Sequence, residues 1–196
     1  MAFSLPERLA RAGLHLRHEF RPGDLGELIR IHGVQNALDY GFGPAHEAYC
    51  ARIAADFILN PYPGRSQLWL VCQADTAVGS VFIVELPDAT AQLRLLFVHA
   101  RLRGLGLGRW LVQSAVEYAR QAGFRSVFLW TVRGLDRAMG IYEDAGFVKT
   151  EEKPGPGWGD ASVEVRYELR FPGGVEPGPE KPAEPGTGVN PRPFGL

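Results

Sequence analysis

Residues 91–122, AQLRLLFVHARLRGLGLGRWLVQSAVEYARQA, constrain this chain more than any other stretch. The apolar run 91–98 reads as a strand. Apolar residues at Leu107, Leu111, Val112, Ala115, Val116 and Ala119 then recur at helical spacing. Between the two, Gly104, Gly106 and Gly108 stand at alternate positions behind Arg103. A strand that feeds a helix through so tight a turn commits the chain to a sheet with a helix packed on it. The turn also gathers the unpaired N–H groups of a helix start at one point, where the helix dipole adds positive charge. Glycines let an anion approach that backbone with no side chain in the way, so the turn suits a phosphate or pyrophosphate.

The flanking pattern completes an α/β (α+β) layout. Residues 14–20, LHLRHEF, alternate as a strand, and Asp24 with Glu27 has the spelling of an N-cap and capping box for a helix to about Leu38. DYGFGP breaks that helix, and Pro44 suits the first position of a second one. Strands follow at 68–73 and 77–86 across the short link AD, a spacing that fits a hairpin. After the glycine turn and its helix comes SVFLWTV (126–132), a compact strand apolar on both faces and hence expected at the centre. A short helix LDRAMGIYEDAG and a last strand at 162–171 close the set. The order is β-α-α-β-β-β-α-β-α-β, with a further short strand near FVKTEE. We divide the chain into one domain, 1–171, and a tail, 172–196. The tail carries seven prolines and six glycines in 25 residues and reads as disordered.

Composition trims the functional classes. A net charge of −1 lacks the basic excess of a nucleic-acid binder, and no run approaches the length of a membrane span. The start lacks the apolar stretch of a signal peptide, and Cys50 and Cys72 have no C-x-x-C pairing. A cytoplasmic location with two buried thiols is the expectation. His15 and His18, three apart on a strand, face opposite sides and share no metal, and no metal site is expected.

Three known phosphate turns can be compared with the spelling. No lysine followed by serine or threonine completes a Walker loop, and G-x-G-x-G is not the G-x-G-x-x-G that opens a dinucleotide fold. Arg103-Gly104-Leu105-Gly106-Leu107-Gly108 does match the pyrophosphate loop of acyl-CoA transferases, an arginine or glutamine, two residues, then G-x-G. With IYEDAGF at 141–147, the stretch LRLLFVHARLRGLGLGRWLVQSAVEYARQAGFRSVFLWT resembles the GNAT superfamily of acyl-CoA N-acyltransferases. The likeness covers about 14–171. It is nearest to the acetyltransferase domains found behind a MarR-type winged helix, which share RPGDLG, LWT and an IYEKAGF-like phrase. No winged-helix pattern is present, so no DNA-reading role is expected.

The resemblance implies a GNAT-like, mostly antiparallel sheet flanked by helices. It also implies acetyl-CoA as co-substrate, and a primary amine on a small molecule or protein as acceptor. The strand before the turn would bulge and splay from its neighbour, and the pantetheine arm would pair with its backbone at Leu96 and Val98. An N–H near Val98 would polarise the thioester carbonyl. The amides of Arg103, Gly104, Leu105, Gly106, Leu107, Gly108 and Arg109 would receive the pyrophosphate. Tyr142 maps to the family's general acid for the leaving thiolate, with packing beside the cofactor as its other reading. Phe147 is read as structural and Gly146 as a helix C′ residue. Tyr40, Phe42 and Trp158 are candidates for the acceptor pocket. Homodimers are common in the family. A CoA-binding sensor or interaction domain without catalysis is the alternative function.

Two positions depart from the family. Leu135 stands where an asparagine often touches pantetheine, and Gln92 where a glutamate often relays the amine's proton. A primary ammonium must lose a proton before it attacks. Candidate acceptors for that proton are Glu85, Glu47, His99 and bulk water, with Asp88 and Asp39 after them.

Overall fold

A computed structural model of the protein describes residues 4–59, 64–155 and 162–172. Trp158 and the tail from 173 onward therefore lie outside the described residues. Seven strands form one sheet in the order β1-β2-β3-β4-β5-β7-β6. They are β1 (Leu14–Arg17), β2 (Gln67–Gln73), β3 (Thr76–Leu86), β4 (Thr90–Val98), β5 (Ser126–Val132), β6 (Val148–Pro154) and β7 (Val163–Arg170). Every neighbouring pair is antiparallel except β4 and β5, which run parallel. A parallel pair needs a crossover, and the helix after the glycine turn supplies it.

Two layers of helix cover the sheet. On one face α4 (Leu107–Gln121) buries Leu107, Leu111, Ala115 and Ala119 with Val81, Ile83, Leu93, Val127 and Leu129. On the other face lie α2 (Asp24–Tyr40) and α3 (Pro44–Leu59), and Leu28 and Ala54 pack with Leu68, Leu70, Phe82 and Val84. In β3 the side chains alternate between these two cores, Val81 and Ile83 to one and Phe82 and Val84 to the other. A strand covered on both faces loses its polar alternation, which is why AVGSVFIV reads as continuous apolar sequence. β6, the segment expected near FVKTEE, is an edge strand whose exposed Lys149, Glu151 and Glu152 discourage pairing with another chain.

The start of the chain differs from expectation. A five-residue helix, α1 (Glu7–Arg11), precedes β1 and sinks Leu9 into the α4-side core. The first strand ends at Arg17 rather than Phe20. Gly23 (φ 98°), not Asp24, occupies the N-cap of α2, and no side chain caps it. The Asp24 carboxylate is drawn instead to the buried Arg17 guanidinium at 2.8 Å and to the Arg21 amide at 2.6 Å. Glu27 pairs with Arg30 at 2.9 Å, so the expected capping box does not form. A fully charged guanidinium in the interior is a stronger partner for that carboxylate than the neutral amides of a helix start.

The helix α5 (Asp136–Asp144) ends as its spelling requires. Gly146 adopts φ 92°, its amide donates to Glu143 O at 2.9 Å, and the Phe147 amide donates to Tyr142 O at 3.1 Å. This is the Schellman closure, in which the C′ residue is left-handed and glycine carries no penalty. It seats Phe147 in the core and fixes Tyr142 on the inner side of α5.

Candidate active site

β4 and β5 pair only from Thr90 to Gln92, against Ser126 to Phe128, and then part. Register shifts opposite Ser80–Phe82 mark a bulge in β4 at the point of divergence. There Leu95 takes φ 46°, a left-handed conformation costing roughly 1–3 kcal/mol in a leucine. The Ser80 hydroxyl donates to Leu95 O at 2.7 Å and holds the bulge in place. The β5-facing edge of β4 beyond Gln92 is thus freed from the sheet and borders a cavity of about 450 Å³.

One end of this cavity is the glycine turn. Gly104 (φ 80°) and Gly106 (φ 76°) both need the left-handed region, and Gly106 is the N-cap of α4 with no side-chain cap. The first helical bond is Trp110 N to Gly106 O at 3.0 Å, so the amides of Leu107, Gly108 and Arg109 have no intrahelical acceptor. Around them stand three arginines. Arg103 is bound to Asp39 at 2.5 Å and Arg109 to Asp144 at 2.6 Å. Arg8, from α1, lies over Gly106, with its Nη2 2.6 Å from where a Cβ on that glycine would stand. Arg8 makes no ion pair among the described residues. The sequence held no signal for this contact, because α1 itself was not expected.

The far end lies under α2 and α3. His32, His46 and Cys50 line it, with Cys50 Sγ 3.9 Å from His32 Nδ1 and 3.7 Å from His46 Nε2. Burial pulls His32 down to about 3, with His46 adding to the effect, and pulls His46 down to about 4. Both imidazoles are therefore neutral. Burial, with Glu47 adding to it, pushes the Cys50 thiol up to about 12, so it carries no thiolate to act as a nucleophile. Tyr49 and Arg94 join this wall, the Arg94 Nη2 donating to Tyr49 Oη at 3.4 Å.

Most residues singled out from the sequence are brought together. Leu96, Val98, Arg103, Gly104, Gly106, Leu107, Gly108, Arg109 and Tyr142 all line the cavity, as do Gln92, Leu135, Tyr40 and Phe42. Leu105 is exposed and outside it. Tyr142 is buried, which raises its phenol well above the usual range.

The carboxylate candidates are not brought there. Glu85 is clamped by Arg65, through Nη2 at 2.5 Å and Nε at 2.9 Å, away from the cavity lining. The Glu47 carboxylate lies against Gly33 on α2, and Asp39 is held by Arg103. Asp88 is exposed in the turn before β4, and His99 turns its Nδ1 to the Arg101 amide. No aspartate or glutamate among the described residues lines the cavity. Sequence reasoning passed over His32, His46, Tyr49 and Arg94. Only Arg94 left a trace, as the one charge in the apolar run LRLLFV.

The parallel pair thus parts and opens onto a glycine-rich helix start. Residues 34–147 match the model of the acetyltransferase (GNAT) family, and the chain belongs to that family. It is 33% identical over 90 residues to human N-acetyltransferase 8B, spanning 43% of this chain and 40% of that protein. It is 31% identical over 111 residues to the uncharacterized N-acetyltransferase YjgM of Escherichia coli K12, spanning 55% of this chain and 66% of that protein. The matches thus span less than two thirds of either relative. Among solved structures, an acetyltransferase from Streptococcus agalactiae superposes with a TM-score of 0.63 at 22% identity, covering 81% of this chain and 99% of that one. Spermidine N-acetyltransferase from Vibrio cholerae, in complex with CoA and spermine, superposes with a TM-score of 0.59 at 18% identity, covering 81% and 96%. These structures share the GNAT fold, with its mixed sheet flanked by helices.

Proposed function

We propose that the protein transfers an acetyl group from acetyl-CoA to a primary amine by direct attack within a ternary complex. The observation that carries this reading is the β4 edge, released at Gln92 and running to the open N-terminus of α4. The free amides of 104–109 would hold the pyrophosphate, with the dipole of α4 behind them. The backbone of Leu96 and Val98 would pair with the pantetheine arm as an added strand does. An N–H near Val98 would polarise the thioester carbonyl, and the attacking nitrogen would form the C–N bond as C–S breaks. Tyr142, protonated at any physiological pH, would give its hydrogen bond to the departing sulfur. Proton transfer to that sulfur follows as the amine nitrogen loses its own. Cys50, a buried neutral thiol, supports direct attack over an acyl-enzyme. The complexes of related folds with CoA agree with this choice of co-substrate.

The test is thiol release from acetyl-CoA in the presence of an amine panel, with CoA binding measured separately. Release that depends on an amine supports the reading. Tight CoA binding without thiol release from any amine would instead favour a non-catalytic CoA sensor.

A further inference from the structure

The acceptor end of the cavity has an unusual charge balance. Arg94 rises from β4 on the face covered by α3, two positions after Gln92 and immediately before the bulge residue Leu95. Its Nε is buried and has no hydrogen-bond partner, and its Nη2 makes only a long bond to Tyr49 Oη at 3.4 Å. It makes no ion pair among the described residues. On β7, two strands away, Glu168 is held by Arg166 at 2.6 Å, while Glu164 stands 3.6 Å from Lys153 Nζ, buried with neither carboxylate oxygen hydrogen-bonded and near enough to help burial raise the Tyr49 phenol. Arg137 adds a second cation to the lining, and no carboxylate answers either.

A guanidinium taken partly out of water needs a counter-charge, or its desolvation goes uncompensated. The phosphates of CoA do not meet that need. Four residues of strand separate Arg94 from Val98, roughly 13 Å at about 3.3 Å per residue, and the glycine turn lies beyond that. Arg94 therefore faces the acetyl end, where the acceptor arrives. A cavity with unanswered arginines and no acid also disfavours an acceptor that is only cationic.

Resting on the acyl-transfer reading above, we propose that the acceptor is a primary amine that carries its own carboxylate, of the amino-acid class. Arg94 binds that carboxylate, and Tyr49 orients the guanidinium toward it. The fork of an arginine matches a carboxylate with two parallel N–H···O bonds, and Nε is one of the donors available for that fork. The amine nitrogen bonds to the acetyl carbon and loses one proton. The sulfur leaves with the C–S electron pair and is protonated, so an N-acetyl amino acid and free CoA result.

The experiment uses the full chain with saturating acetyl-CoA and matched acceptors. Leucine, phenylalanine, methionine and glutamate are each compared with the amine lacking the α-carboxylate, and spermine is added to the panel. Thiol release is expected to favour the carboxylate-bearing member by about 100-fold in kcat/KM, the scale of one buried charge pair. Arg94→Gln should erase that preference through KM while the acetyl-CoA Kd stays within about threefold, and Arg94→Lys should restore part of it. Equal or faster turnover of the decarboxylated amines or of spermine overturns the proposal and leaves the acyl-transfer reading standing.

Calorimetry with N-acetyl-leucine against N-(3-methylbutyl)acetamide on the CoA complex reads the same preference without turnover. If no amine releases thiol but the carboxylate is preferred in binding, acyl transfer fails and the Arg94 site stands. If neither assay shows a preference, the Arg94 site is refuted.

Discussion

Replacing Gly106 with glutamate tests the anion turn most directly. The residue sits at φ 76°, where any L-side chain costs roughly 1–2 kcal/mol, and its Cβ would stand 2.6 Å from Arg8 Nη2. Arg8 is a flexible surface side chain and can swing aside, so the strain is the main cost to the fold. For a domain of this size that lowers Tm by about 2–8 °C. Binding suffers more. A carboxylate about 4 Å from the pyrophosphate, at an effective dielectric of about 20, repels one phosphate charge by about 4 kcal/mol. That is close to three decades in Kd. Gly106→Ala separates the terms, because it carries the strain and the Cβ without the charge, and should weaken CoA by about tenfold. Calorimetry with CoA, paired with thermal unfolding, reads both effects, and pantetheine without phosphates serves as the control. Wild-type CoA affinity in the folded glutamate variant, or a fall in pantetheine binding as large as that of CoA, would refute a phosphate site at this turn.

Three further outcomes are expected. Tyr142→Phe should lower kcat about 100-fold in steady-state thiol release and leave the KM for acetyl-CoA nearly unchanged; a fall in affinity with kcat intact would reassign Tyr142 to packing. Asp24→Ala leaves the Arg17 guanidinium buried against the Cys72 thiol alone and should cost about 3–5 kcal/mol in urea unfolding. The apolar pair Arg17→Met with Asp24→Leu should recover most of that loss. The third concerns pH. His32 and His46 are depressed to about 3 and 4, so below pH 6.5 the unfolded chain takes up protons that the native state refuses, and stability falls by about 1.4 kcal/mol per unit for each. Glu164, raised to about 7 by burial, works the other way between 4.5 and 7. From pH 6.5 to 4.5 the net slope is that of one histidine, and Glu164→Gln should steepen it toward two. Calorimetric Tm across that range checks the sign.

The strands, the turn and the two motifs were legible because each rests on local periodicity or on a backbone conformation that only glycine takes freely. Gly146 is the clearest case, since its position alone implies the Schellman closure that seats Tyr142. The divergence of β4 from β5 was legible only through resemblance, because nothing in SVFLWTV states where its pairing stops. The ion pairs were not legible at all. Arg103 meets Asp39 across 64 positions and Glu85 meets Arg65 across 20, and such choices are made by the packed fold. They decide which charges face the cavity. A search of the sequence for a base therefore favoured carboxylates that the fold spends elsewhere, and passed over Arg94. The capping box at Asp24 failed for the same reason, since Arg17 lies on the adjacent strand and not in the helix.

The divergence of β4 and β5 also bears on self-association through strand edges. A strand edge with open amides and carbonyls normally invites a foreign chain, and most folds blunt it with charge or proline. Here the open edge is interior, roofed by α4 on one side and α3 on the other, and another folded protein cannot lie along it. Only something as slender as a single extended arm can thread the gap. The sheet can therefore keep recognition-competent backbone in the middle of the molecule without the aggregation hazard that the same backbone would carry at its rim.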